Sequence, residues 1–316
     1  MSMRVLSAGL VFCDVPLCPS PRNIMELDNY PINKVECHTG GDALTVGVVL
    51  SKMGVPVSLI GYIGEDGNGQ FILRELEKQG IDVSMMKKTT EYSTATSYQL
   101  IEENGERHFL VDAKICDLIR DRDIPDEAIE NCDLVFLGSA LALAGMNDTE
   151  IEKLFTRAHK AGKLTAMDAS VALKFEEKCK MDILRKALQH TDIFIPSYEE
   201  ASYLAQKTDI DEILEAFRGF PFKVFGIKLG AEGCILTEDF QTFVRRKPFS
   251  DFKAIDTTGA GDCFMGGFIS SYLKGWSLEA CAEFATAVAG FGISAVGATT
   301  AVPDYSTVCR FIETHK

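Results

Sequence analysis

No two cysteines stand at CxxC spacing and the five histidines do not cluster, so the sequence offers no zinc site and no disulfide framework. Its ten scattered cysteines fit reduced thiols and predict a cytoplasmic protein. No apolar run is long enough to span a membrane, and the short one after Arg4 reads as a first strand rather than a signal peptide. A Walker A loop is missing, because no GK[ST] follows a glycine-rich turn. GxGxxG spacing is missing too, which removes the dinucleotide fingerprint and disfavours a NAD-dependent oxidoreductase. Tails, repeats and low-complexity segments are not seen. Positive charge is scarce: 32 Lys and Arg against 46 Asp and Glu give a net charge of −14. That balance argues against nucleic acid or an anionic membrane as partner. An anionic ligand would have to be held by local backbone dipoles, a metal ion and a few placed cations.

What is present is size and a regular rhythm. The chain has 316 residues, 46% of them hydrophobic, enough to bury a large core. Apolar strands are predicted over Arg4–Leu10, Val57–Ile63, Leu134–Leu137, Leu164–Met167, Asp192–Ile195, Phe222–Lys228 and Cys234–Thr237. Helices are predicted after Gly41 up to Gly54, from Gly69 to Gly80, over Thr149–Ala161, Met181–Gln189, Cys263–Lys274 and Ser277–Val296, and from Asp304 onward. Strands that alternate with helices of about a dozen residues predict an α/β fold with a doubly wound, mostly parallel sheet flanked by helices. One stretch breaks the rhythm. Thr94, Thr96, Tyr98 and Leu100, the Asn104-Gly105 pair and the run His108–Val111 form a hairpin signal inserted in the βα chain.

Chemistry concentrates in a few places. Asp14 stands just past the first strand, where an acid either binds hydroxyls at the carboxyl end of the sheet or is a solvated loop residue. Gly40-Gly41-Asp42 opens a helix, so Asp42 either presents its carboxylate to a ligand or caps the helix. Ser197 and Glu200 have the spacing of a capping box. The sharpest stretch is Asp256-Thr-Thr-Gly-Ala-Gly-Asp262 at a helix start. There Gly259, Ala260 and Gly261 let backbone N–H groups gather at the positive end of the helix dipole, which suits phosphate. Asp262 beside them either takes a proton from an attacking hydroxyl or is an ordinary N-cap.

The seven residues from Asp256 to Asp262, followed by Cys-Phe-Met-Gly-Gly-Phe, resemble the C-terminal signature of the ribokinase-like (PfkB-type) carbohydrate kinases. The Gly40-Gly41 pair resembles their N-terminal signature, so the resemblance spans nearly the whole chain. It implies that Asp262 is the catalytic base and that Gly259, Ala260 and Gly261 form the anion hole. Asp14, Gly40, Gly41, Asp42 and Thr45 would bind the sugar, with Thr45 in place of a common Asn. The hairpin would be a lid over the sugar and a homodimer interface, its segments lying at about 12–38 and 91–113 of a single domain over 1–316, with Arg107 reaching the substrate from it.

For the nucleotide, the resemblance implies ATP phosphates beside Ser197, Lys228 and the turn Gly230–Gly233, with Thr286 near the adenine. It implies Mg²⁺ organised through Glu200, and a monovalent cation such as K⁺ near Asp256 and Thr258, where Ala301 replaces a frequent hydroxyl ligand. The expected activity is ATP-dependent phosphorylation of a sugar hydroxyl. A nucleoside kinase of the same fold and a non-catalytic sugar-binding regulator are the alternatives. The acidic balance, with Arg107 as the one cation placed near the sugar, predicts an acceptor that is neutral or weakly charged.

Overall fold

The computed structural model describes residues 3–32, 35–102, 107–170 and 181–315, without the side chain of Arg107. The chain runs through β1 (Val5–Ala8), β2 (Phe12–Leu17) and β3 (His38–Gly40) into helix α1 (Asp42–Lys52). Then come β4 (Val57–Ile60), β5 (Tyr62–Gly64), α2 (Gly67–Lys78), β6 (Lys87–Thr89), β7 (Thr96–Ile101) and β8 (Arg107–Asp112). Alternation resumes with α3 (Asp126–Glu130), β9 (Leu134–Leu137), α4 (Asp148–Lys160), β10 (Leu164–Met167), α5 (Arg185–Leu188) and β11 (Ile193–Phe194). Helices α6 (Tyr198–Ala205) and α7 (Ile210–Phe217) precede β12 (Val224–Lys228), β13 (Cys234–Thr237) and β14 (Val244–Arg246). Helices α8 (Ala260–Tyr272), α9 (Leu278–Gly292) and α10 (Tyr305–Thr314) follow.

Eight strands form the main sheet in the order β14-β13-β12-β11-β10-β9-β1-β4. From β4 across to β12 every pairing is parallel, and β13 turns back antiparallel. Both faces are covered, which is why these strands are apolar throughout rather than alternating. Val135 and Leu137 face one core layer with Leu6 and Ala8, while Leu134 and Phe136 face the other with Val5. The expected doubly wound sheet is present. A second sheet, in the order β3-β2-β7-β8, stands apart from it, with β7 and β8 drawn from the stretch that broke the rhythm and β2 and β3 from residues 12–40. The Asn104-Gly105 turn lies outside the described residues. No helix among the described residues is long and apolar enough to cross a membrane.

Four elements differ from their sequence reading. The strand expected over Val57–Ile63 ends at Ile60. β4 is an edge strand, and the chain peels off it so that β5 can pair with β6. The helix expected over Met181–Gln189 is a 3₁₀ turn at Met181–Ile183 and then the single turn α5, because Leu184 between them leaves helical geometry at φ −127°. The helix expected to reach Val296 stops at Gly292. Asp14 does not sit in a loop past β1 but inside β2, where Asp14 pairs with His38 of β3 and Ser97 of β7.

Candidate active site

Helix α8 begins at Ala260, three residues earlier than the sequence suggests. Its N-cap is Gly259 at φ 72°, and a Cβ there would lie 2.4 Å from the Ala298 side chain, so the position admits only glycine. Asp262 is therefore a first-turn residue, and the reading of it as an N-cap falls. Asp42 also loses its cap reading: Gly41, at φ 90°, is the cap of α1 and Asp42 its first residue. The amides of Gly261 and Asp262 have no preceding helical turn to bond, and they stand at the positive end of the dipole. The N–H of Ala260 is given to the Thr257 carbonyl at 3.3 Å.

Two cavities meet at this helix start. The larger, about 690 Å³, is bordered by Gly259, Ala260, Gly261, Asp262, Lys228, Gly230, Ser197, Glu200 and Asp168. The smaller, about 250 Å³, lies under the small sheet and is lined by Asp14, Gly40, Gly41, Asp42, Thr45, Gln99 and Phe109, with Thr258 and Asp262. Asp42, Gly259 and Asp262 border both.

Charge is tightly arranged between them. Lys228 Nζ is 2.5 Å from Asp168 Oδ2, and the two side chains are 12% and 4% exposed. Burial works against the ammonium, but Asp168, Glu200 and Asp262 hold its proton affinity above the ordinary lysine range. Asp262 is pushed well above the usual carboxylate range by burial first, then by Asp42 and Asp168, with Lys228 opposing. Asp14 is pushed up to about 7 by burial and by Asp256, against a hydrogen bond from Gln99. A Cβ on Gly40 would fall 2.0 Å from Asp14 Oδ2, so this glycine makes room for the carboxylate.

The capping box at α6 is real. Ser197 Oγ accepts from the Glu200 N–H at 3.2 Å, and Glu200 Oε2 accepts from the Ser197 N–H at 2.7 Å. Glu200 still borders the larger cavity, so cap and ligand roles are compatible. Asp256 is buried and accepts from Thr258 N–H at 2.8 Å and Gly297 N–H at 2.9 Å, tying the motif to the loop after α9. Two expected nucleotide residues are not brought to the cavities. Thr286 is buried in α9, donates to the Ala282 carbonyl at 2.7 Å and lines neither. Gly233 serves the turn into β13, packed against the Arg246 carbonyl. The side chain of Arg107 lies outside the described residues.

No group of three or more His, Cys, Asp or Glu among the described residues could hold a metal ion by itself. Magnesium does not need one: it commonly takes one or two carboxylates and completes its shell with phosphate oxygens and water. Glu200, with one oxygen in the capping box, fits that limited role, while both oxygens of Asp168 are engaged by Lys228 and the Ala169 N–H. Sequence reasoning missed Asp168, Ser139, Ser170 and Gln99. Asp168 directly follows β10 and was open to the same rule that picked Asp14, an acid at the carboxyl end of a parallel strand.

A doubly wound sheet whose strand ends carry two cavities meeting at a glycine-rich helix start defines a small-molecule phosphotransferase. The sequence model of the pfkB family carbohydrate kinases matches residues 20–305, and the chain belongs to that family. It is an ATP-dependent carbohydrate kinase that phosphorylates a hydroxyl of a sugar or sugar-like molecule. It is 28% identical over 311 residues to an ATP-dependent ribose-1-phosphate kinase of Halopiger xanaduensis, covering 98% of both chains. It is 29% identical to an uncharacterized sugar kinase of Archaeoglobus fulgidus, over 80% of this chain and 98% of that one. Among solved structures, a fructokinase double mutant of Vibrio cholerae with fructose, ADP and potassium ion bound shares the fold. The TM-score is 0.82 at 20% identity, over 98% of each chain.

Proposed function

We propose that Asp262 is the general base of this kinase and that the two cavities hold its two substrates, ATP in the larger and the sugar in the smaller. The observation that carries this is that Asp42, Gly259 and Asp262 border both cavities, so a hydroxyl reaching from one to the other passes Asp262. Its raised proton affinity suits a base that must take a proton as attack on the γ-phosphorus begins. The amides of Gly261 and Asp262, with the helix dipole, stabilise charge on the transferring group, and Lys228 supplies a cation beside Gly261. Asp168 holds that lysine. Asp14 and Asp42 accept sugar hydroxyls, with Gly40, Gly41 and Thr45 shaping the wall.

Mg²⁺ bound at Glu200 would neutralise charge on the phosphates. A monovalent cation belongs near Asp256 and Thr258, where a buried carboxylate ties two loops together. The segments 12–38 and 91–113 act as a lid that excludes water from the transfer. Tyr98 and Leu110, which pair across β7 and β8, are 43% and 60% exposed, an apolar surface suited to a homodimer through that lid. The scattered cysteines, free among the described residues, support a cytoplasmic location. A nucleoside acceptor needs room for a base beside the ribose, and the smaller cavity, about 250 Å³, favours a monosaccharide-sized acceptor.

An ADP-release screen with Mg-ATP over ketoses, aldoses, sugar acids, sugar phosphates and nucleosides tests the reading. ADP formation that depends on a sugar supports it. Turnover confined to nucleosides, or none with any acceptor, contradicts it.

A further inference from the structure

Two serines outside every motif hold Asp42. Ser139, just past the carboxyl end of β9, and Ser170, just past β10, both donate their hydroxyls to the same oxygen, Asp42 Oδ2. They come from parts of the chain 97 and 128 residues away. Each has a positive φ, 61° and 46°, an unfavourable conformation for a serine that the surrounding structure must hold in place. Ser139 is fully buried. A carboxylate oxygen that accepts from two hydroxyls at once is fixed in direction.

Asp42 is one of the three residues that border both cavities. On the acceptor side the other charged residues are Asp14 and Asp262, and no lysine, arginine or histidine lines that cavity among the described residues. A sugar hydroxyl placed there can donate to Asp42. A phosphate or carboxylate placed there meets three acidic side chains and, among the described residues, no counter-charge.

We infer that Ser139 and Ser170 are positioning residues that hold the Asp42 carboxylate in one orientation beside Asp262, and that this carboxylate selects hydroxyl-bearing, non-anionic acceptors over phosphorylated or carboxylated sugars. The inference rests on the kinase reading above and names its acceptor class. A hydroxyl bonded to a charged acceptor is worth about tenfold to a hundredfold in affinity. Repulsion of an anion adds to the discrimination.

The test uses ribose, fructose and glucose, each beside its monophosphates, with glucosamine and glucuronate as further arms. The wild-type protein should prefer the free sugar, or the amino sugar, over its anionic counterparts by about tenfold or more in kcat/KM. Asp42→Asn should shrink that ratio by about tenfold, chiefly by raising KM for the free sugar. The double variant Ser139→Ala/Ser170→Ala should shrink it in the same direction by less. A merely structural role would weaken all acceptors alike and leave the ratio unchanged, so an unchanged ratio in both variants overturns the inference.

Binding of the same sugars to the wild-type protein, by titration calorimetry, answers independently of turnover and of how the variants fold. Free sugars bound without phosphate transfer would sink the kinase reading and leave this inference standing. Monophosphates or glucuronate preferred over free sugars would overturn the inference alone, and no sugar bound at all would overturn both.

Discussion

Replacing Lys228 by Met takes a cation out of the larger cavity and leaves Asp168 buried without its counter-charge. The pair is 2.5 Å long with side chains 12% and 4% exposed, so water cannot take over either partner. Removing one member of such a pair costs about 3–5 kcal/mol, because the other must stay desolvated or take up a proton. The loss has a pH signature. Burial first, then Glu200 and Asp42, hold Asp168 above the ordinary carboxylate range even against the pull of Lys228. Without the lysine its proton affinity rises further.

A carboxyl raised on folding contributes its stability at pH below the unfolded value and loses it as pH rises through the folded one. Lys228→Met should therefore be most destabilised at neutral and alkaline pH and nearly normal at about pH 4, where Asp168 is protonated. The double variant Lys228→Met/Asp168→Asn removes both charges and should regain most of the stability. Activity should stay low, because the transferring phosphoryl group has lost its cation. Urea midpoints at acid and alkaline pH, with kcat/KM for all variants, decide the matter. A double variant that recovers turnover along with stability would show that Lys228 is structural only. A penalty that grows on acidification would refute the electrostatics.

Other expectations follow from the same geometry. The kcat/KM profile should fall on acidification along a limb above the ordinary carboxylate range, since Asp262 must be ionised to act and burial, Asp42 and Asp168 raise its proton affinity. Lys228→Met should move that limb to higher pH. Glu200→Gln keeps the capping box, so melting temperature should hold while the Mg²⁺ concentration for half activity rises; an unchanged Mg²⁺ dependence would leave Glu200 a cap alone. Asp14→Asn should raise KM for the acceptor. It should also raise the melting temperature above about pH 7 but not near pH 4, because it removes a buried carboxylate that ionises only with difficulty. Equal melting curves for Asp14→Asn and the wild-type protein across that range would remove Asp14 from the buried charge cluster.

The parts legible in the sequence were those written locally. The run Asp256–Asp262 carries its own glycines, its helix and its carboxylate, and the βα alternation announces a parallel sheet with ligands at its strand ends. What was hidden depends on residues far apart in the chain. Ser139 sits in an ordinary Gly-Ser-Ala context and reaches Asp42 only because β9 lies beside β1 in the sheet. Asp168 and Lys228 are 60 residues apart and meet because β10 and β12 flank β11. The start of α8 was placed late because glycines inside a helix are normally unfavourable, whereas here Gly259 is the cap and Gly261 packs against Lys228. Asp14 was read as lying just past the first strand, whereas it sits inside β2, which pairs on both sides with β3 and β7.

The central claim is that one carboxylate, shared by two cavities, moves the proton that lets a sugar hydroxyl attack ATP. Single-turnover transfer from labelled ATP to a sugar that the protein accepts, compared between the wild-type protein and Asp262→Asn, tests it most directly. The account predicts that label appears on the sugar with the wild-type protein. With the variant the rate should fall by about 10²- to 10⁴-fold, with ATP affinity and melting temperature nearly unchanged. Transfer by Asp262→Asn at close to the wild-type rate would contradict it.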